Sequence, residues 1–237
     1  MKWKKKNETN NKINKLEEEK NKSINRINKL EKELNKSNNI IKKLEEESNK
    51  KIKQLENEIN TIKYPLTIFK ESKILKNKEE EIMILNWIKP NSNVVKINLL
   101  YQISRDGDNI NTFYEKVKNE FPTLIIIQSK TGFKFGGYTT NTWEQRKIYK
   151  KDLSSFLFSL NKKKKYNIKN NHFQNGIYGS DSYFAFGSGH DICIYDKCTS
   201  NKNNYCNSRS YNTTEKYELN DQNCFYVDEL EVYNIEY

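Results

Sequence analysis

The 237-residue chain carries 42 Lys and Arg against 31 Asp and Glu, a formal charge of +11, and only 35% of its residues are hydrophobic. Its longest apolar runs, among them Leu124 to Ile127, are far shorter than the roughly 20 residues that a spanning helix needs, so none of them can cross a bilayer as a helix. No apolar stretch follows the basic start MKWKKKNETN, so no export signal is read and the chain is placed in the cytoplasm, with the nucleus as the other compartment.

Composition shifts sharply near residue 64. The stretch before Pro65 holds 18 basic and 11 acidic residues, mostly interspersed with Asn and isolated Ile or Leu, whereas nearly all aromatic residues come later. The expected organisation is a basic coiled-coil helix over 1–64, a linker over 65–76 and a globular domain over 77–237. Within the helix, Ile27, Leu30, Leu34, Ile41 and Leu44 recur in alternating steps of three and four, a heptad seam that Lys20, Ser23 and Ser37 interrupt with polar residues. Two consecutive steps of four, from Leu44 through Ser48 to Ile52, form a stutter, after which Leu55 and Ile62 continue the seam. So narrow an apolar stripe needs burial against a partner, and self-association through residues 11–63 as a homodimer is the simplest way to provide it. The excess of basic charge would also suit nucleic acid, but a solvated helix face in a chain rich in Lys and Asn is the favoured reading.

Beyond the linker, Asn77 can cap a helix, with Glu80 returning a bond in the manner of a capping box. Val94 to Gln102 reads as a strand entering a charged turn, Ser104-Arg105-Asp106-Gly107-Asp108, with Asp108 as the N-cap of a helix that buries Phe113, Tyr114 and Val117. Thr123–Ser129 and Phe133–Tyr138 form a hairpin around Lys130-Thr131-Gly132. Gly136 and Gly137 inside its second strand point to a bulge or a close backbone approach. Trp143 is expected to anchor a loop, Ser155–Leu160 to form a strand, and Lys162–Lys165 to be a hairpin tip. Two further strands, Tyr183–Phe186 and Asp191–Asp196, flank the turn holding Gly189, His190 and Asp191, and 197–210 reads as a polar loop. In the last strand apolar parity switches between Val227 and Leu230, which requires a bulge near Asp228 and Glu229. With Leu230 and Val232 facing inward, Glu229 and Glu231 are expected on the surface, available to a basic partner. The fold class is α+β, mainly β: a two-sheet antiparallel β-sandwich flanked by helices, preceded by the long helix.

Residues with chemical potential are few. No nucleophile elbow, phosphate loop or zinc-protease motif is present. His190 beside Asp191 could act as a base in a turn, although a bracing role is expected. Asp106-Gly107-Asp108 departs from a calcium loop, whose glycine stands at the sixth place. Cys193, Cys198, Cys206 and Cys224 lack a Cys-x-x-Cys spacing, so free thiols are expected, with no metal and no cofactor. Arg105 and Asp106 are read as a brace between strand and helix.

The series LLYQISRDGD, FPTLIIIQSKTGFKFGGYTTNTW, SSFLFSL, FGSGHDICI and FYVDELEVYNIEY, in this order, resembles the TLDc domain over about residues 68–237. The chain departs from that pattern at Tyr114 and Phe121 and in the loop from Cys198 to Arg209. The resemblance implies a helix-flanked β-sandwich without an established catalytic set. It also implies an association with protection against oxidative stress, and partners among the subunits of the vacuolar proton pump. The function expected is that of a non-enzymatic interaction protein. Two other classes remain open: a nuclear DNA-binding regulator using the basic helices, and a weak hydrolase or peroxide-consuming enzyme.

Overall fold

The computed structural model describes residues 2–63, 68–88, 96–215 and 217–237, with the side chains of the first helix described over 16–56 and at 58. The chain divides into two compact units, Met1–Pro65 and Leu66–Tyr237. In the first, α1 (Lys2–Lys63) is one unbroken helix, as the absence of Gly and Pro allows. The seam residues Ile27, Leu30, Leu34, Ile41, Leu44 and Leu55 all lie exposed along it. The side chain of Ile62 lies outside the described residues, as do Tyr64, linker residues 65–67 and strand residues Val94 and Val95.

The second unit is a β-sandwich. It contains α2 (Lys78–Ile88), β1 (Lys96–Gln102), α3 (Ile103–Asp106), α4 (Ile110–Val117), β2 (Thr123–Ser129), β3 (Lys134–Thr139), β4 (Tyr149–Lys150), β5 (Phe156–Ser159) and β6 (Lys164–Asn167). A 3-10 turn (Phe173–Asn175) follows, then β7 (Ile177–Gly179), β8 (Tyr183–Phe186), β9 (Ile192–Tyr195), β10 (Asn204–Cys206), β11 (Cys224–Phe225) and β12 (Val227–Glu236). One antiparallel sheet runs β1-β12-β2-β3-β5-β6 and the other β11-β10-β9-β8-β7-β4. Their facing sides enclose Phe113, Phe135, Trp143, Phe184, Phe186 and Val232, all buried. Phe113 and Phe184 stack at 4.3 Å between ring centroids, and Trp143 meets Phe184 and Phe186 edge to face. Such aromatic contacts add to the area that the core removes from water.

The bulge in the last strand falls where parity requires it, as a register shift between Val227 and Glu229 against β2. It turns Leu230 and Val232 into the core. The outer face of the same sheet is covered as well: Phe69 packs edge to face on Tyr233, and Trp87 of α2 lies 5.8 Å from Phe158. This second layer corrects the expectation that Glu229 and Glu231 are surface residues. Both are buried: Glu231 completely, under the roof segment that carries Ser72 and Lys73, and Glu229 beside Ser104 of α3.

Other readings change too. Ser104 to Asp106 is not a charged turn but part of the single helical turn α3. The cap of α4 is Asn109, whose side chain accepts from the Asn111 N–H at 2.8 Å; Asp108 instead accepts from the backbone N–H of Thr199 at 3.3 Å and from its hydroxyl. Residues 197–210 are not merely a polar loop: they include β10, held between β9 and β11. The Asn204 amide there donates to the carbonyls of Cys198 and Phe225 at 2.8 and 3.1 Å, so a polar side chain fills a buried position with its bonds made. At α2, Asn77 accepts from the Glu80 N–H at 2.9 Å, and Glu80 reaches back one residue further than in a capping box, to the Lys76 N–H at 3.1 Å.

Candidate interaction surface

The residues singled out by sequence fall into three places. The first is the elbow between β1 and α4. Arg105 donates to the Leu100 carbonyl at 2.8 Å and to the Asp106 carboxylate at 2.7 Å. Asp106 also accepts from the Gln102 N–H at 3.0 Å and faces the Lys116 ammonium at 3.6 Å. Burial pushes the Asp106 carboxyl up, but the Arg105 bond, the Gln102 N–H and the two cations outweigh it and hold the group below its ordinary value. Gly107 then takes φ +82°, a left-handed geometry that Gly adopts without a side-chain clash.

Next to this elbow the Glu231 carboxylate ties the roof to the sheet. It accepts from the Ser72 hydroxyl at 2.6 Å, the Lys73 N–H at 2.5 Å, the Gln102 amide at 3.0 Å and the Tyr233 hydroxyl at 2.9 Å. Glu229 accepts from the Ser104 N–H at 3.3 Å and from its neighbour Leu230 at 3.0 Å. These two acids pin segments that are distant in sequence, and neither is presented to solvent.

The second place is interior. Gly136 and Gly137 pair in regular register with Ile126 and Ile125, so the pair marks a close approach and not a bulge. A side chain at Gly136 would overlap the Ile125 carbonyl and the Phe158 ring, and one at Gly137 would overlap Phe186 from the opposite sheet. Trp143 is buried and donates from Nε1 to Thr123 Oγ1 at 3.0 Å.

The third place reaches the surface. Gly187-Ser188-Gly189-His190-Asp191 turns from β8 to β9, with Gly187 and His190 at positive φ. Gly189 packs against the aliphatic stem of Arg209, where a side chain would collide. Asp191 is buried, and one carboxylate oxygen accepts from the N–H groups of Arg209, Ser210 and Tyr211 at 2.8, 2.8 and 3.2 Å. Burial still raises its proton affinity above that of an ordinary Asp.

His190 leaves this turn and lies over the outer face of the second sheet, half-buried among tyrosines. Its ring nitrogens sit 3.1 Å from the Tyr149 and Tyr205 hydroxyls, and its ring centroid is 5.4 and 5.2 Å from Tyr178 and Tyr183. Tyr195 extends the row, 5.1 Å from Tyr183. Burial pushes the His190 imidazole below its ordinary pKa, and the neighbouring Asp191 charge only partly opposes it. Beneath the rings, burial drives the Cys193 thiol up to about 12, and in the core between the sheets it does the same to Cys198; an un-ionised thiol is a poor nucleophile. All four cysteines are free, and Cys224 alone is exposed. Among the described residues no cluster of His, Cys, Asp and Glu could hold a metal ion.

The sequence located His190 but not the tyrosines that surround it. Their signal was present in the alternation of β8 and β9, where Tyr183 and Tyr195 are register partners on the side away from Phe184 and Ile194.

Comparison with known proteins gives the family. The TLDc domain profile matches residues 68–236. This chain belongs to the TLDc domain family. The match runs from the roof segment to the end of β12, so the Glu231 contacts and the tyrosine face both lie inside the TLDc domain. The mTOR-associated protein MEAK7 of Mus musculus is similar over 158 residues at 24% identity, covering 58% of this chain and 32% of the mouse protein. MEAK7 of Xenopus laevis is 28% identical over 79 residues, 33% of this chain and 17% of the frog protein, and that of Gallus gallus is 29% identical over 65 residues, 27% and 14%. The chain spans about a third or less of the length of these relatives.

Proposed function

We propose that this chain is a non-enzymatic regulatory protein whose TLDc domain docks on another protein through the His190–tyrosine face. The observation that carries the reading is the contrast between this face and the remaining candidate groups. Arg105, Asp106, Asp191, Glu229 and Glu231 are consumed by bonds that hold the fold, whereas Tyr149, Tyr178, Tyr183, Tyr195 and Tyr205 form a contiguous, solvent-reachable aromatic surface. Tyrosines supply large contact area with few rotatable bonds and keep a hydroxyl for the partner.

The family resemblance supplies two settings for that contact: protection against oxidative stress, and regulation of the vacuolar proton pump by binding one of its subunits. The name of the MEAK7 relatives, mTOR-associated protein, adds an mTOR-linked assembly as a third. We place the contact in the cytoplasm. The test is a pull-down of purified pump subunits, and separately of an mTOR complex, on the immobilised full chain and on Tyr149→Ala/His190→Ala. Binding by the wild type that drops at least tenfold in the variant supports the reading. Failure of both candidates to bind overturns the assignment of partners, and binding untouched by the double substitution moves the docking surface elsewhere.

A further inference from the structure

The ten apolar side chains of α1 between Leu16 and Leu55 are each 42–60% exposed, and their placement dictates what covers them. We infer that α1 pairs with α1 of a second copy as a two-stranded, parallel, in-register coiled coil. In the heptad frame set by Leu30 and Leu34, the a positions hold Ile27, Leu34 and Ile41 and the d positions Leu16, Leu30 and Leu44. After the stutter the frame resumes with Ile52 at a and Leu55 at d. Mostly β-branched residues at a with Leu at d fit the packing geometry of two strands, not three or four. Where the seam is polar it is flanked by extra apolar area. Ile24 at e adjoins Ser23, and Ile40 at g lies one turn from Ser37, both exposed.

Charge fixes the direction. A parallel pair places each g residue beside the e residue of the following heptad in the partner helix. The contacts are then Glu19 with Ile24, Arg26 with Glu31, Glu33 with Asn38, Ile40 with Glu45 and Lys51 with Glu56. Two of the five are attractive and none sets like charges together. Each attractive contact occurs twice in a symmetric dimer. An antiparallel pair places e against e, and every charged e position from Glu17 through Glu31 and Glu45 to Glu56 is acidic. Lys20 at an a position faces its own copy only when the helices are in register, a cost that the flanking layers must outweigh. Parallel pairing brings both chains out of the coil at the same end, so two TLDc domains are tethered together and a partner with repeated sites is bound bivalently.

Light scattering on the full chain at tens of micromolar is expected to give twice the chain mass; a monomer, trimer or tetramer overturns the inference. Direction is read with Ser23→Cys in a Cys224→Ser background under mild oxidation. Parallel, in-register helices give a disulfide-linked dimer. An antiparallel pair centred on the helix separates the two thiols by roughly 28 Å at 1.5 Å per residue, and a dimer that fails to cross-link overturns the arrangement. Glu31→Arg should weaken dimerisation about tenfold by setting two arginines together at each contact, and Arg26→Glu/Glu31→Arg should restore it. An inert Glu31→Arg, or a double variant no tighter than the single, refutes the charge assignment. Thermal unfolding of the TLDc domain in each variant confirms that the globular unit is intact.

Discussion

Four neutral donors, the Ser72 hydroxyl, the Lys73 N–H, the Gln102 amide and the Tyr233 hydroxyl, converge on the Glu231 carboxylate with no cation among them. Glu231→Ala strands all four in a site closed to solvent and should cost about 3 kcal/mol in urea denaturation; a loss below about 1 kcal/mol would show that water replaces the carboxylate. Acid should act at two other residues. The Glu218 carboxyl is pushed up by burial but drawn down further by Lys164 and the Thr214 N–H and hydroxyl, reaching about 2 from an ordinary 4.5. Its contribution to stability is therefore complete above about pH 4.5 and is lost as pH falls toward 2. His190, held below 6.5 by burial, takes its proton more readily in the unfolded chain, so stability also declines as pH drops below about 6.5. Urea midpoints measured from pH 7 to pH 3 should fall, with Glu218→Gln flattening the lower part of the curve and His190→Gln the upper. At this scale the alternation of β12 sorted Glu229 and Glu231 onto one face, but alternation does not say whether that face is roofed. The roof comes from residues 68–88, more than a hundred positions earlier, and no local pattern in β12 encodes it.

Strands with strong signals were legible as elements. β2 is an apolar run bounded by Pro122 and the Lys130-Thr131-Gly132 turn, and the parity switch in β12 located its bulge. β10 was not legible: in Asn204-Tyr205-Cys206 the inward positions are a polar Asn and a Cys, and burial there depends on carbonyls from two other segments. β4 and β11, at two residues each, are too short to show a period. The twin glycines of β3 were legible as a bulge or a close approach, and the regular register decides for the approach and shows what approaches. Gly136→Ala should drive a methyl group into the Ile125 carbonyl within a central strand pair, lowering stability by roughly 3 kcal/mol or more in thermal unfolding. Gly132→Ala, which meets only open space and pays the left-handed backbone cost at φ +87°, should lose about 1 kcal/mol.

For the whole molecule, the composition shift near residue 64 lies beside the division of the chain at Pro65 and Leu66. Residues 66–237 should fold alone, with a calorimetric midpoint within about 2 °C of the corresponding transition in the full chain. A much lower midpoint would mean that α1 stabilises the sandwich. The sheet order has a further consequence for how the protein is made. β12 lies between β1 and β2, yet it leaves the ribosome about 125 residues after β1 ends. At 5–20 residues per second that delay is on the order of ten seconds, during which β1 and the apolar β2 have no strand to join them. The helix is complete before either strand is translated, so neighbouring nascent chains on one message have the time and the means to pair through α1 while their sandwiches are still open.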